Sequence, residues 1–121
     1  MSRYVTFIAH GSSRQEANDF LINLIRDTFS VEDHVTVGFL EAATPTIPEA
    51  LEEQIKNGAK IIEVIPLFLV PGNHTTKDIP VLINQVSSQH PDIKINLRDF
   101  IGTTEKFKDF LGNILKDKKH A

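Results

Sequence analysis

Four short apolar segments alternate with four amphipathic segments along the chain, and this alternation limits the possible folds more than any other feature. The apolar segments are 4–9, 35–40, 60–70 and 93–97. Such runs are typical of buried β-strands, and the segments between them show the three-and-four spacing of amphipathic helices. Strands separated by helices form a parallel sheet with right-handed crossovers. The sequence therefore predicts a small doubly wound, flavodoxin-like α/β domain, with a four-stranded parallel sheet and helices on both faces.

Two capping-box patterns predict where the first two helices begin. Ser13-x-x-Glu16 and Thr46-x-x-Glu49 each place a hydroxyl and a carboxylate where they can bond to one another's backbone N–H groups. Gly58 is a natural stop for the second helix. We therefore expect helices that follow Ser13 and Thr46 directly.

The third and fourth helices are predicted less directly. The third is expected to begin near Asp78, after the break at 71–73, with Pro80 tolerated in its first turn. Thr103 and Thr104 can cap the fourth. The first and last helices both show an apolar stripe at helical spacing. Its members are Ala17, Phe20, Leu21, Leu24 and Ile25 in the first helix, and Phe107, Phe110, Leu111, Ile114 and Leu115 in the last.

Composition narrows the function classes. A chain of 121 residues has the size of one domain, so we expect a single domain over 1–121. The net charge of −3 supplies no general basic field for nucleic acid or for an anionic membrane surface. The absence of cysteine excludes disulfides, zinc–thiolate sites and cysteine nucleophiles. Because no signal peptide or membrane span is evident, we expect a cytoplasmic location.

Three side chains with metal-binding chemistry follow the predicted strands. His10 follows the first strand, Glu41 the second, and His74 lies in the loop after the third. Ligands of open parallel sheets bind beyond the carboxyl ends of the strands, where neighbouring strands are about 4.8 Å apart. Two imidazoles and a carboxylate suit divalent ions such as Co²⁺, Ni²⁺, Fe²⁺ or Zn²⁺. The sequence therefore predicts a nitrogen–oxygen metal site that can exchange its ion.

Other interpretations of these residues stay open at this point. Each histidine alone is also compatible with an ordinary loop residue, and Glu41 with a solvated acid near a helix. One alternative is a hydrolase with Ser12 as nucleophile and His74 as base, but the sequence lacks the G-x-S-x-G motif that forms a nucleophile elbow. Another alternative is a nucleotide-binding domain, but the sequence contains no phosphate-binding glycine loop.

Three segments in order carry a resemblance to a known family. They are AHGSSR (9–14), VGFLEAATPTIPEAL (37–51) and VIPLFLVPGNHTTKDIP (64–80). With these segments the sequence resembles the short sirohydrochlorin chelatases of the CbiX type, which are class II tetrapyrrole metal chelatases. The resemblance implies a chelatase-like fold and insertion of a divalent metal into sirohydrochlorin, without ATP or an organic cofactor.

The resemblance also implies roles for the three residues at the sheet edge. The histidines that match His10 and His74 bind metal and take part in catalysis, and the acid that matches Glu41 assists. Because longer relatives hold two copies of the domain around one cleft, a chain of this length implies a homodimer. Cobalt is the first expectation for the metal, for cobalamin or sirohaem biosynthesis, with nickel or iron as alternatives.

Five residues near the predicted metal ligands are candidates for binding the substrate. Sirohydrochlorin has eight carboxylates, so nearby cations are candidate partners, and nearby hydroxyls can add hydrogen bonds. The candidate substrate-binding residues are Ser12, Arg14, Thr75, Thr76 and Lys77. A non-catalytic module that binds metal or tetrapyrrole needs the same ligands, and only turnover distinguishes it from an enzyme.

Overall fold

The computed structural model describes residues 3–116, except for the side chain of His74. Four strands and four helices alternate along this part of the chain. They are β1 (Arg3–Ala9), α1 (Gln15–Thr28), β2 (Val35–Phe39), α2 (Ile47–Lys56), β3 (Ile61–Pro66), α3 (Asn73–Ser87), β4 (Lys94–Leu97) and α4 (Glu105–Lys116). No helix in 3–116 combines the length and the apolar character needed to cross a bilayer.

All four strands are parallel, and their spatial order is β2-β1-β3-β4. The predicted four-stranded doubly wound sheet is therefore confirmed. β1 lies inside the sheet, where Ile8 has Gly38 of β2 on one side and Pro66 of β3 on the other. His10 therefore follows the end of a strand that has a neighbouring strand on each side.

Helices cover the sheet on both faces. α2 and α3 pack over one face and form the larger core, while α1 packs over β2 and β1 on the other face with Ile25, Val37 and Phe39 buried. Burial of this apolar surface is the main stabilising contribution to a domain of this size. The buried residues of the larger core are Tyr4, Ile8, Ile47, Leu51, Ala59, Ile62, Val64, Ile79, Ile83, Val86 and Ile93.

One predicted capping box is confirmed and the other is wrong. At the start of α2, Glu49 N–H donates to the Thr46 hydroxyl at 3.2 Å, and Thr46 N–H donates to the Glu49 carboxylate at 2.8 Å. At the start of α1, Arg14 rather than Ser13 is the N-cap residue, and it makes no side-chain capping bond. The Glu16 carboxylate is instead 3.2 Å from the Arg14 guanidinium.

α3 begins at Asn73, five residues earlier than the expected start near Asp78. The threonine hydroxyl of Thr75 stabilises this earlier start, since it accepts from Gly72 N–H and donates to Gly72 O, both at 3.1 Å. Pro80 therefore lies in the helix interior and not in its first turn, at the cost of one backbone hydrogen bond. Residues 74–77 lie on a helix, whereas the sequence predicted a loop for His74.

The apolar stripes of α1 and α4 are only partly used within the chain. In α1, Ile25 and Asn18 are buried, but Phe20 and Leu24 are exposed. In α4, no residue of the stripe is buried, and Phe110 is 58% exposed. The predicted helical faces therefore exist, but a large part of each faces outward.

β3 ends at Pro66, so the expected strand 60–70 was too long. The neighbouring edge strand β4 pairs only with Ile61–Val64, and β1 with residues up to Pro66. Beyond that point Leu69 and Val70 are exposed in the connection to α3. Leu67 N–H still donates to Ile8 O at 2.8 Å, and after this bond the run leaves the sheet.

Candidate functional site

His10 and Glu41 meet at the carboxyl edge of the sheet, as predicted. The backbone pairing of β1 and β2 continues beyond both strands, where Leu40 N–H donates to Ala9 O at 2.9 Å and Glu41 N–H donates to His10 O at 3.0 Å. The side chains also meet, with His10 Nε2 3.1 Å from Glu41 Oε1. They are 57% and 63% exposed, so a ligand can reach both.

Gly11 makes the close approach of the two loops possible. Its φ is +93°, a conformation that side-chain-bearing residues rarely adopt. A Cβ atom at this position would lie only 1.8 Å from the carbonyl oxygen of Glu41. The glycine that ends the first predicted strand therefore lets the backbone of residue 41 pass directly beside it.

The neighbouring carbonyl favours one protonation pattern of His10. Nδ1 is 3.2 Å from Gly11 O, a carbonyl that accepts a hydrogen bond when the imidazole carries its proton on Nδ1. In neutral imidazole, Nε2 then presents a lone pair to the Glu41 carboxylate. Two acceptors 3.1 Å apart repel unless a cation or a proton lies between them. The His10–Glu41 pair is thus built to share a positive charge.

An open cleft of about 530 Å³ contains this pair. The described wall of the cleft has a polar part and an apolar part. Half of its residues belong to α3. The lining residues are His10, Leu40, Glu41, Asp78, Val81 and Leu82. Asp78, Val81 and Leu82 were not predicted here, since the sequence placed them on the third helix without showing which strand end that helix lies beside.

His74 is the second residue of α3, and its side chain lies outside the described residues. Its position in the chain is one helical turn before Asp78, which lines the cleft. Among the described side chains, no three histidines or acids gather closely enough to hold a metal ion. The third ligand therefore stays a prediction.

The loop after β1 positions two of the predicted substrate-binding residues. The Ser12 hydroxyl accepts from Arg14 N–H at 3.0 Å, and the Arg14 guanidinium pairs with Glu16 at 3.2 Å. Both partners of that ion pair are more than three-quarters exposed. Exposed ion pairs contribute little to stability, so the guanidinium can exchange this partner for another anion.

The other three predicted substrate-binding residues lie in the first turns of α3. Thr75 is buried, and its hydroxyl is occupied by both backbone polar groups of Gly72. Thr76 and Lys77 are exposed. None of the three belongs to the described wall of the His10–Glu41 cleft.

Asn18 holds the loop that carries His10, and the sequence argument missed it. Its Oδ1 accepts from Ser12 N–H at 2.9 Å, and its Nδ2 donates to Ser12 O at 2.8 Å. Asn18 is buried on the inner face of α1, one helical turn before Ile22 and two turns before Ile25. An asparagine inside an apolar stripe at this spacing is the signal that could have identified it.

The fold and the site together define a class: a small doubly wound α/β domain with a histidine–carboxylate pair in an open cleft at the carboxyl edge of its sheet. The family model that matches is CbiX, over residues 4–118. The chain belongs to the CbiX family.

Several curated relatives align over much of the chain. A sirohydrochlorin cobaltochelatase of Methanocaldococcus jannaschii is 36% identical over 91 residues, which cover 71% of this chain and 62% of the relative. One of Sulfurisphaera tokodaii is 34% identical, with 88% of this chain and 86% of the relative covered. A sirohydrochlorin ferrochelatase of Bacillus subtilis is 32% identical, and 97% of this chain matches 46% of that protein.

The fold is shared with a solved structure. A CbiX protein of Marinobacter aquaeolei superimposes with a TM-score of 0.79 at 24% identity, with 97% of each chain covered. The four-stranded parallel architecture predicted from the sequence is therefore the architecture of the family.

Proposed function

We propose that this protein is a sirohydrochlorin metal chelatase, a lyase that inserts a divalent ion without ATP or an organic cofactor. Family membership and the names of the curated relatives support this function. The observation that carries it is the pair of acceptor atoms, His10 Nε2 and Glu41 Oε1, which face one another at 3.1 Å in an open cleft. A divalent cation, supplied as substrate, satisfies both acceptors.

Metal insertion exchanges one divalent ion for two pyrrole protons, so the enzyme must hold the ion firmly enough to strip its water and loosely enough to release it. Imidazole and carboxylate ligands suit this requirement, and the chain has no thiolate that would retain the ion. The contact of His10 Nδ1 with Gly11 O at 3.2 Å helps to orient the ring. We propose that His74 supplies a second imidazole from α3.

The wall of the cleft suits a tetrapyrrole. Leu40, Val81 and Leu82 provide an apolar surface on which one face of the macrocycle can pack, next to the polar pair His10 and Glu41. Val81 is exposed, which leaves its side chain available to a ligand. The ring centre would then lie near the metal ligands, as insertion requires.

The carboxylates of the substrate need partners outside this wall. We propose Arg14 and Lys77 for that role, with hydrogen bonds from Ser12 and Thr76, since the side chains of Arg14, Thr76 and Lys77 are exposed at the edge that carries His10. Thr75 was also predicted to bind substrate. Because its hydroxyl is already bonded to Gly72, we now assign it to the start of α3.

We further propose that the protein acts as a homodimer, in which each chain contributes one lobe of the site. The support is the pair of apolar stripes left exposed, with Phe20 on α1 and Phe110 on α4 more than half exposed. α1 carries three acids and one arginine, whereas α4 carries three lysines and two acids. Opposite charge and exposed aromatic residues favour α1 of one copy packing on α4 of the other, an exchange that a two-fold axis makes reciprocal.

Cobalt is our first choice of metal, since the Methanocaldococcus and Sulfurisphaera relatives are named cobaltochelatases. The Bacillus relative named as a ferrochelatase keeps iron as the alternative, and nickel has similar ligand preferences. The product would enter cobalamin or sirohaem biosynthesis. The cytoplasmic location and the absence of a nucleic-acid partner stay predictions.

Anaerobic incubation of the protein with sirohydrochlorin and Co²⁺, Ni²⁺ or Fe²⁺ tests the function, with the absorbance of the metallated ring as the readout. We expect many product molecules per chain and the highest rate with Co²⁺. A single product molecule per chain would identify a non-catalytic binding module instead. Metallation no faster than in the absence of protein would refute the proposal.

A further inference from the structure

We infer that Asp78 is a catalytic residue, whose carboxylate accepts a pyrrole proton as the metal enters the ring. This inference rests on the proposed chelatase function. Insertion breaks two N–H bonds, and the two nitrogen lone pairs released bind the metal. Both protons must therefore move to acceptors that lie within reach of the ring centre.

The two residues that hold the metal are poorly placed to take these protons. A divalent ion held by His10 and Glu41 would repel a proton on either side chain, so both are poor proton acceptors while the ion is bound. Nδ1 of His10 is 3.2 Å from Gly11 O, so a hydrogen on Nδ1 has an acceptor in the loop itself. A separate base is favoured for as long as the ion stays on its protein ligands.

Asp78 is the remaining base in the described wall of the cleft. Of the six lining residues, Leu40, Val81 and Leu82 have no titratable group, and His10 and Glu41 are assigned to the metal. Asp78 is exposed, and among the described side chains none lies within ion-pair distance of it. Its carboxylate is therefore accessible to a substrate bound in the cleft.

The position of Asp78 on α3 also fits this role. Residues 74 and 78 are four apart on one helix, so they occupy the same helical face about 6 Å from one another. Asp78 therefore lies one helical turn from the proposed third metal ligand. Each N–H bond that breaks is replaced by an O–H bond on Asp78, and because the open cleft lets the first proton pass to water, the same carboxylate can then accept the second.

Asp78→Asn tests the inference, because the amide keeps the size of the side chain but does not act as a base. We expect kcat for Co²⁺ insertion to fall by about 100-fold, within the range of a lost general base. The KM for sirohydrochlorin and the Kd for Co²⁺ should stay within about threefold, and Asp78→Glu should recover part of kcat. Asp92→Asn is the matched control, since Asp92 is exposed in the turn after α3, and we expect parent kinetics.

Two results would overturn the inference. The first is a kcat for Asp78→Asn equal to that of Asp92→Asn. The second is a loss confined to KM or to Co²⁺ affinity, which would make Asp78 a binding residue. Lack of turnover by the parent chain is a different failure, since it refutes the chelatase function and the role of Asp78 with it. Equal thermal unfolding curves for the parent, Asp78→Asn and Asp92→Asn exclude misfolding as the cause of a lower kcat.

Discussion

His10 and Glu41 are joined twice, once through the backbone and once through their side chains. Glu41 N–H donates to His10 O at 3.0 Å, and the side-chain atoms Nε2 and Oε1 are 3.1 Å apart. The first contact extends the pairing of two adjacent parallel strands, so the sheet itself fixes the distance between the two loops. The geometry of the candidate metal pair is therefore set by the fold rather than by the metal.

Removal of either member of this pair should weaken metal binding and slow insertion. We expect His10→Ala to lower kcat/KM for Co²⁺ insertion by at least about 100-fold, because the fixed Nε2 ligand is lost. Glu41→Gln should raise the Kd for Co²⁺ by about 10-fold, because the amide carries no charge. Absorbance titration with Co²⁺ and initial rates measure the two effects.

His90→Gln is the control for these variants. His90 Nε2 contacts Glu52 Oε1 at 2.8 Å, beyond the carboxyl end of α3 and away from the cleft. Its substitution should leave both the Co²⁺ Kd and the insertion rate at parent values. Parent rates for His10→Ala would show that the pair does not handle the metal.

Gly11→Ala should destabilise the protein strongly. The substitution adds a methyl group 1.8 Å from Glu41 O at a φ of +93°, so the two loops must separate. We expect the free energy of unfolding to fall by about 3 kcal/mol, from backbone strain and steric overlap together. Urea unfolding followed by circular dichroism measures the change.

A second glycine offers a matched comparison. Gly112 lies inside α4, and a Cβ there would meet no atom within 4 Å. Gly112→Ala should stabilise the helix by about 0.5–1 kcal/mol, since alanine loses less conformational freedom on folding. Equal effects of the two substitutions would contradict the packing described for Gly11.

Asn18→Ala should loosen the loop that carries His10. The variant loses two hydrogen bonds to the backbone of Ser12, and we expect a loss of about 2 kcal/mol in stability. Because His10 is displaced rather than removed, the insertion rate should also fall, with the Co²⁺ Kd raised. Asn23→Ala, at an exposed position of the same helix, should change neither. Parent activity in Asn18→Ala would mean that the loop keeps its shape without this clamp.

Phe110→Glu should dissociate the proposed dimer. A charged side chain on the exposed apolar stripe of α4 opposes its burial against a second copy. We expect light scattering to give the mass of one chain, together with a lower insertion rate. Asn113→Gln, which changes no charge and lies outside the apolar stripe of α4, should stay dimeric. A monomeric parent with full activity would refute the two-lobed arrangement.

The sequence was sufficient to place His10 and Glu41 because the apolar runs before them show where two adjacent strands end. Those ends are local features, and the parallel sheet brings them together. The exposed positions of Phe20 and Leu24 could not be predicted in the same way. An apolar stripe shows that a helix has a face to bury, but not whether its own chain or another one covers that face.

The start of α3 was misplaced for a physical reason. A proline is most common in a first turn, so Pro80 suggested a helix that begins near Asp78. The hydroxyl of Thr75 instead stabilises a start at Asn73, and the helix tolerates the proline further along. Asp78 was missed as a cleft residue because the helical period shows which residues share a face, but not which loop that face meets.

His10 and Glu41 follow two strands whose amide hydrogens are unequally protected from exchange with solvent. β1 has a strand on both sides, whereas β2 is an edge strand whose outer side has only an isolated bridge between Phe39 and Thr46 among the described residues. Amide hydrogens around residue 41 should therefore exchange with solvent before those around residue 8, through partial opening that spares the centre of the sheet. Warming or mild denaturant should then displace Glu41 before the centre of the sheet opens. Metal affinity would decline while most of the fold persists.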